Sequence, residues 1–301
     1  MILVDYSQVA LSAILTFQRE LKGTESEVKN LIRHVTLSTL KSYKKKYGKE
    51  YGELVVCCDG RKYWRREVFE HYKANRKKMR DNSALDWHLI FDTLNEMRQE
   101  IADHFPWRVV HVDRAEADDI IAVLTKWAQE NDLHAEGLIE EPQKILILSS
   151  DKDFKQLQLA PFSSGNVRQW SPMQKKFITA SKQEIMDFTV EHIVKGDTGD
   201  GIPNILSKDD VFVIGERQKP VSAKRLAEFI EKGKDACRND EEIRNWDRNA
   251  RLVAFDNIPK DVQQEIIHSY LNTKPMGDKM AIMNYLIQNK CRLLLDEIED
   301  F

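Results

Sequence analysis

Short apolar runs alternate with amphipathic segments through the first half of the chain. The runs are rich in β-branched residues and leucine, and they cover residues 2–6, 54–59, 108–113 and 144–149. Such runs are typical of buried parallel strands. Between them, apolar residues recur at helical spacing over residues 25–47, 84–104 and 116–130. The alternation predicts an α/β fold with a mostly parallel central sheet flanked by helices.

The pattern becomes helical after about residue 181. Just before that point, residues 166–178 predict a terminal hairpin or edge pair. Helices are then predicted at residues 181–195, 221–232, 239–253, 261–273 and 278–289. We therefore expect an α/β domain over residues 1–180 and a helical domain over residues 181–301.

The composition is that of a soluble protein. The 301 residues are 42% hydrophobic and carry a formal net charge of −3, and no apolar run reaches the ~18–20 residues of a membrane helix. The N-terminus enters directly into an apolar run without a basic, cleavable export signal. The four cysteines do not have the spacing of a disulfide framework. These features predict a protein of the reducing cytoplasm.

Carboxylates follow the predicted strands. In a parallel sheet the functional crevice lies beyond the carboxyl ends of the strands, where Asp5, Asp59 and Asp151 are expected. Like charges in one pocket raise each other's pKa or bind a cation, and all-oxygen ligands suit Mg²⁺ or Mn²⁺. The sequence therefore favours a pocket for divalent metal ions. The nine acids concerned are Asp5, Asp59, Glu116, Asp118, Asp119, Asp151, Asp153, Asp197 and Asp200.

Each acid also has an ordinary structural interpretation. An Asp after a strand is often a turn former or a helix N-cap, and acids in a first helical turn are stabilised by the helix dipole. Chance explains poorly why separate strand ends all carry Asp, so the metal site is favoured. Two divalent ions about 3.5–4 Å apart support phosphoryl chemistry without a nucleophilic side chain. No GxSxG, P-loop or HExxH motif offers another mechanism.

A strongly basic segment follows the second predicted strand. Residues 61–80 contain nine Lys or Arg and two Glu, a local charge of 9 − 2 = +7, with aromatic residues between them. This composition suits a phosphate backbone and stackable bases. The alternative is a solvated basic helix whose aromatic residues pack into the core. On a helix, the basic residues near one face would be Arg66, Lys73, Arg76 or Lys77, and Arg80.

At these residues the chain resembles the flap endonuclease family of 5′ nucleases, and most of all its T-even phage ribonuclease H branch. The similar segments, in order over residues 1–205, are LVDYSQVALS, CDG, YWRREVFEHYKANR, AEADDIIAVL, ILSSDKDFKQL, QWSPMQKKF and KGDTGDGIP. The resemblance implies an α/β nuclease core, a helical arch at about residues 61–82 and a helical DNA-binding half at the C-terminus.

The C-terminal half departs from the broad family pattern. The family's helix–hairpin–helix usually continues as GDxxDN(I/V)PGVxGIGxKTA, whereas here Gly201 and Asn204 replace two of its residues and no GIG follows. We expect a divergent helix–hairpin–helix that binds duplex through basic residues such as Lys224 and Arg225. The alternative is that these are ordinary loop charges.

The resemblance also implies roles for individual residues. The first of two Mg²⁺ ions, for which Mn²⁺ would substitute, would be held by Asp5, Asp59, Glu116 and Asp118. The second would be held, directly or through waters, by Asp153, Asp197 and Asp200, with Asp119 in support and Asp151 between the two sites or near the first. The catalytic set would be Asp118 and Asp151 with Lys73 and Arg76, whose cations would contact the scissile phosphate. Further nucleic-acid contacts would come from Arg65, Arg66, Lys77 and Tyr72, the last as a stacking surface for a terminal base.

The implied function is that of a metal-dependent 5′→3′ exonuclease and 5′-flap endonuclease with ribonuclease H activity. Its substrates would be RNA·DNA and DNA duplexes, and it would remove RNA primers during phage DNA replication in the host cytoplasm. We expect a monomer, with a single-strand DNA-binding protein and a sliding clamp as possible partners.

Two other functions compete with this one. A non-catalytic branched-DNA-binding protein on the same scaffold would be expected to lose acids, yet every expected acid is present. An Asp-nucleophile phosphohydrolase, with Asp151 or Asp153 as the nucleophile, would need no basic segment.

Overall fold

A computed structural model describes residues 1–76, 84–130 and 143–301. They form two compact units, the first comprising Met1–Arg61, Ala84–Thr179 and Asp261–Phe301, and the second comprising Ala180–Lys260 and the described part of Lys62–Ser83. The predicted division into domains 1–180 and 181–301 stays a prediction. The units share its boundary near residue 180 but group residues 62–76 with the helical unit and residues 261–301 with the sheet. Residues 77–82 of the expected arch lie outside the described residues.

The first unit is built around a six-stranded sheet. Its order is β3-β2-β1-β4-β5-β6, and only the β5–β6 pair among these strands is antiparallel. The predicted α/β class, mostly parallel sheet and edge hairpin are therefore confirmed. The strands are β1 (Ile2–Asp5), β2 (Leu54–Cys58), β3 (Arg108–His111), β4 (Ile145–Leu148), β5 (Val167–Ser171) and β6 (Lys176–Ile178).

The described helices correspond closely to the amphipathic segments of the sequence. The α-helices are α1 (Tyr6–Ile14), α2 (Glu25–Tyr51), α3 (Trp64–Val68), α4 (Trp87–His104), α5 (Ala117–Glu130), α6 (Lys182–Lys195), α7 (Ala223–Lys232), α8 (Asp240–Val253), α9 (Lys260–Asn272), α10 (Lys279–Gln288) and α11 (Arg292–Leu295). Short 3-10 helices lie at Leu15–Phe17, Glu20–Lys22, Lys152–Gln158, Gly233–Ala236, Phe255–Asn257 and Ile298–Asp300.

The core of the first unit buries both faces of the central strand. Leu3 and Val4, which point to opposite faces of β1, are both fully buried. Val4 belongs to a cluster that includes Leu37 of α2, Met97 of α4 and Leu286 of α10. Helix α10 therefore packs into the core of the sheet unit. No described helix is both long enough and apolar enough to span a membrane.

The second unit is a small helical body with its own apolar core. Its helix α6 begins with a capping box, in which Ser181 and Glu184 satisfy each other's backbone N–H groups. Phe229 of α7 and Trp246 of α8 stack with ring centroids 5.6 Å apart in that core. Asn249 of α8 is fully buried, and its side-chain amide donates to the backbone carbonyls of Ile193 and Pro203. These two hydrogen bonds fix the loop after α6.

Candidate metal centre

Three adjacent parallel strands bring carboxylates to one edge of the sheet. Asp5 is the last residue of β1 and pairs in register with Cys57 of β2. Asp59 follows β2 directly, and Asp151 follows β4 after two serines. Because β1 lies between β2 and β4, the three acids lie at the carboxyl edge where the strand order reverses. This is the usual place for a functional site in an open parallel sheet.

Asp5 lies in a pocket of unbalanced negative charge. Only 6% of its surface is exposed. Its carboxylate accepts hydrogen bonds from the Ser149 hydroxyl (2.8 Å) and from the backbone N–H of Gln8 (3.2 Å). Burial, together with the charges of Asp59 and Asp151, raises the pKa of Asp5 to about 7. A bound cation would remove that penalty on the ionised form.

The acids after β3 are linked to Asp59 through the backbone. The N–H of Ala117 donates to Asp59 Oδ1 (3.0 Å), and the N–H of Glu116 donates to Asp119 Oδ2 (3.0 Å). Glu116 and Asp119 are buried, whereas Asp118 is half-buried at the start of α5. A buried carboxylate is costly unless it is paired or coordinates a metal, so a solvated acidic face does not describe this segment.

The chain leaves β2 and β3 along closely spaced paths. A Cβ at Gly60 would lie 2.3 Å from the carbonyl oxygen of Val112, so that only glycine fits there. Asp118 lies near the pocket that contains Asp5, because the charges of both acids act on the thiol of Cys57. Burial raises the pKa of Cys57 well above its usual value, and the charges of Asp5 and Asp118 act in the same direction.

The acids of the first unit have the chemistry of a divalent-cation site. Among the described residues, no Lys, Arg or His lies within ion-pair distance of Asp5 or Asp59. The available donors are carboxylate oxygens, which Mg²⁺ and Mn²⁺ prefer. The ordinary interpretation also holds for two of the acids, since Asp5 caps α1 and Asp151 caps the helix Lys152–Gln158. The acids of this unit are Asp5, Asp59, Glu116, Asp118, Asp119, Asp151 and Asp153.

Asp197 and Asp200 belong to the second unit, in a tight turn after α6. Asp197 Oδ1 accepts the N–H groups of Gly199 (2.7 Å) and Asp200 (3.2 Å), while Oδ2 lies 3.0 Å from Nε2 of His192. His192 is buried in the last turn of α6, and sequence reasoning missed it. The signal was its position, because Gly196 ends the helix and folds the following acid back onto the last turn.

The basic segment contacts the same turn within the second unit. Asp200 accepts hydrogen bonds from the Tyr72 hydroxyl (2.9 Å) and from Nη2 of Arg76 (2.5 Å), and Lys73 Nζ lies 3.8 Å from it. The backbone N–H of Lys73 also donates to the Asp200 carbonyl (2.7 Å). Two predicted phosphate-binding cations are thus paired with a predicted metal ligand. Lys73 adopts a left-handed backbone conformation with φ 59°, which is uncommon outside glycine and indicates a special turn.

The helical alignment considered for the basic segment does not hold for its described part. Helix α3 ends at Val68, and turns follow at residues 70–74. Arg66 and Lys73 therefore do not share a helix face. The physical reason is packing, because Phe69 and Tyr72 lie in an apolar cluster of the second unit. A continuous helix at the surface would not bury these two side chains.

Several predicted nucleic-acid contacts are buried in this conformation. Arg65 is 4% exposed and donates from Nε to the carbonyl of Leu252 (2.8 Å). Tyr72 is 3% exposed, which leaves no ring face for a terminal base. Arg225 is 7% exposed and pairs with Glu242 at 2.5 Å. In this conformation the three side chains contact the protein itself, and their contact with nucleic acid stays a prediction.

Two other predicted contacts are at the surface. Arg66 and Lys224 are exposed, with the Arg66 guanidinium 5.4 Å from the ring centroid of Tyr63. Both can present a positive charge to a phosphate backbone. Lys77 lies outside the described residues.

Comparison with known proteins assigns this arrangement to a family. Residues 1–189 match the family described as 5′-3′ exonuclease, N-terminal resolvase-like domain, and residues 182–301 match the family described as T4 RNase H, C terminal. The chain belongs to the 5′-3′ exonuclease family. It is 32% identical to the ribonuclease H of Enterobacteria phage T4, over 99% of this chain and 95% of that protein. It is 29% identical to the flap endonuclease Xni of Shewanella sediminis, over 47% of this chain and 49% of that protein.

Solved structures support the same fold. A flap endonuclease of bacteriophage T5, solved with DNA and metal ions, has a TM-score of 0.61 at 18% identity and covers 90% of this chain and 98% of its own. A second structure, the T5 5′-exonuclease with bound zinc, also has a TM-score of 0.61. The predicted family and 5′-nuclease fold are confirmed, and the chain is a 5′→3′ nuclease of the flap endonuclease type.

Proposed function

We propose that this nuclease uses Mg²⁺ to hydrolyse phosphodiesters from the 5′ end of RNA·DNA and DNA duplexes, and that it cleaves 5′ flaps. The observation that carries the proposal is the buried carboxylate of Asp5 at the end of β1, whose pKa is raised by burial and by the charges of Asp59 and Asp151 at the ends of β2 and β4. Nucleic-acid hydrolysis by divalent ions requires such a set of oxygen ligands. These substrates are the ones that occur when RNA primers are removed during phage DNA replication. We therefore propose primer removal in the host cytoplasm as the process.

The first ion would be held by acids of the sheet unit. Asp5, Asp59, Glu116 and Asp118 supply oxygen donors, and Asp151 lies at the same strand edge. When bound, the ion supplies charge neutralisation for the reacting phosphate and activation of water. The surrounding residues keep the donors in place: Ser149 and Gln8 orient Asp5. Relatives solved with metal ions support a divalent metal, and the all-oxygen donor set favours Mg²⁺, with Mn²⁺ as a substitute.

A second ion is part of the proposal on the strength of the family resemblance. Its ligands would be Asp153, Asp197 and Asp200, with Asp119 in support. Asp153 belongs to the first unit, and Asp197 and Asp200 belong to the second. This ligand set stays a prediction.

Lys73 and Arg76 are the cations proposed to act on the scissile phosphate. Cations aimed at the reacting phosphate stabilise the charge that develops in the transition state. Both lie beside Asp200 in this structure. A phosphate would have to replace Asp200 as the partner of Arg76. Partnership with a single-strand DNA-binding protein or a sliding clamp rests on the resemblance alone.

The test is a gel assay on RNA·DNA hybrid and 5′-flap DNA, labelled separately at the 5′ and 3′ ends. We expect short products from the 5′ end with Mg²⁺ and none with a chelator. The pattern of the two labels separates exonucleolytic from endonucleolytic cleavage. A salt-sensitive gel shift without cleavage would instead indicate a binding protein.

A further inference from the structure

His192 and Asp197 form a pair at the end of α6, in the second unit. The side chain of His192 is 3% exposed, whereas 20% of the Asp197 side chain is exposed. Nε2 of His192 lies 3.0 Å from Oδ2 of Asp197. An ionised carboxylate only accepts hydrogen bonds, so Nε2 carries the hydrogen and donates it. None of the functions discussed above gives His192 a role.

The backbone brings the two side chains together. Gly196 ends α6 with φ 66°, and a Cβ at this position would lie 2.2 Å from the carbonyl oxygen of Ile202. Asp197 and Ile202 exchange two backbone hydrogen bonds of 2.9 Å and 2.8 Å. The ring of Phe188 lies 5.5 Å from the imidazole of His192, measured between centroids. The chain itself therefore builds the pair, and no ligand is needed to form it.

Both oxygens of the Asp197 carboxylate are held. Oδ1 accepts the backbone N–H groups of Gly199 and Asp200, and Oδ2 accepts the N–H of His192. The carboxylate cannot rotate without breaking at least one of these bonds, so its orientation is set in advance. Carboxylates that bind metal ions are commonly oriented in this way by residues that do not touch the ion.

An ordinary structural role for His192 is also available. A cationic side chain in the last turn of a helix is stabilised by the helix dipole, and His192 lies in the last turn of α6. That role needs a charge on the ring and does not need the bond to Asp197. The two roles therefore differ in the substitutions that they tolerate.

We propose that His192 is a positioning residue, which orients Asp197 to act as a ligand of a divalent ion. The inference rests on the proposed function for the role of Asp197 as a ligand. It adds a residue that the resemblance does not supply, because His192 precedes the segment KGDTGDGIP that begins at Lys195.

The test compares His192→Gln with His192→Leu. The amide nitrogen of glutamine is the same number of bonds from Cα as Nε2 of histidine, so it can donate to Asp197 without carrying a charge. Leucine fills the buried space and has a similar helix propensity, but it has no donor. His88→Gln is the matched control, because His88 also pairs with an aspartate, Asp92 at 2.7 Å, but is exposed in the first unit. Asp197→Asn is the reference for a damaged ligand.

Binding of Mn²⁺ is measured by electron paramagnetic resonance without nucleic acid. We expect His192→Leu to weaken the binding of one ion by about 10–100-fold, the usual effect of losing a hydrogen bond to a metal ligand. Asp197→Asn should weaken the same ion at least as much, whereas His192→Gln and His88→Gln should stay close to the native protein. Native affinity in His192→Leu would overturn the proposal. Equal weakening in His192→Leu and His192→Gln would also overturn it, in favour of the helix-dipole role.

Amide hydrogen exchange in chelator reports the orientation of Asp197 without an ion. The Gly199 N–H, which donates to Oδ1, should exchange several-fold faster in His192→Leu than in His192→Gln, because Asp197 is then held through one oxygen only. Exchange at Phe229, in the core of the same unit, is the reference for the stability of the whole unit. Equal exchange at Gly199 in the two variants would contradict the proposed positioning.

Cleavage of 5′-flap DNA with Mg²⁺ separates this inference from the proposed function. If the native protein cleaves, His192→Leu should need about 10–100-fold more Mg²⁺ for its half-maximal rate, and His192→Gln should not. If the native protein cleaves but Asp197→Asn binds Mn²⁺ normally, Asp197 is not a ligand and the inference fails while the cleavage activity stands. If the native protein cleaves nothing, yet His192→Leu weakens Mn²⁺ binding and His192→Gln does not, the proposed function fails and the inference stands.

Discussion

Replacing Asp5 by Asn should make the metal-free protein more stable while it removes the nuclease activity. The side chain keeps its shape, and its Oδ1 still caps α1 by accepting from Gln8, because Asn and Asp are comparable N-caps. The new amide N–H can donate to the Ser149 hydroxyl, which lies 2.8 Å from the carboxylate. What the substitution removes is a buried negative charge near two other carboxylates.

The size of the effect follows from the pKa of Asp5. It is raised from 3.8 to about 7 in the folded protein, so native protein binds more protons than unfolded protein between those pH values. Stability therefore falls as the pH rises through that interval. A difference of 7 − 3.8, about 3 pH units, corresponds to about 4 kcal/mol at about 1.36 kcal/mol per unit. Above pH 7 the variant should gain up to about this amount, and below pH 4 the two proteins should be equally stable.

The assay is urea denaturation in chelator from pH 4 to pH 8.5. The matched control is Asp86→Asn, because Asp86 is also a helix N-cap but is exposed, and its replacement should change stability by less than about 0.5 kcal/mol. In a parallel titration without chelator, added Mg²⁺ should stabilise the native protein and not the Asp5 variant. If Asp5→Asn is no more stable than native protein at pH 8 without metal, the pocket does not hold an unbalanced charge and the reasoning is refuted.

Four further substitutions test three basic residues and Tyr72. Lys73→Ala should lower kcat by tenfold or more while duplex binding weakens only a few-fold, and equal losses would reduce Lys73 to a backbone contact. Tyr72→Phe should lower the free energy of unfolding by about 1–2 kcal/mol in urea titrations, because its hydroxyl donates to Asp200; unchanged stability would argue against that bond. Arg225→Ala should destabilise the protein by about 3–5 kcal/mol by leaving a buried glutamate unpaired. Lys224→Ala should leave stability unchanged and weaken duplex binding. If Arg225→Ala instead leaves stability unchanged and weakens duplex binding, Arg225 is a nucleic-acid contact.

The sequence was most informative where apolar runs alternate regularly with amphipathic segments. A strand that is apolar throughout must be buried on both faces, so the runs ending at Asp5 and Cys58 could be identified as strands of a parallel sheet. Once the strands are parallel, residues at their carboxyl ends lie at one edge. The grouping of Asp5, Asp59 and Asp151 follows from that rule, and the register of β1 and β2 agrees with it.

The sequence was less informative where charge and packing compete. Arg65, Tyr72 and Arg225 resemble surface residues of a binding face, because composition does not reveal whether a long side chain finds a buried partner. Each does find one: the Leu252 carbonyl, Asp200 and Glu242, respectively. His192 was missed for the same reason, since its role depends on a turn that reverses the chain. Tertiary contacts of this kind leave no periodic signal.

The most direct test of the central claim compares native protein with Asp118→Asn on 5′-labelled flap DNA, with Mg²⁺ and with chelator. The account predicts cleavage by native protein with Mg²⁺ only, no cleavage by the variant, and similar duplex binding by both. Cleavage by the variant in Mg²⁺, or by native protein in chelator, would contradict the assignment of the strand-edge acids as the metal-dependent active site.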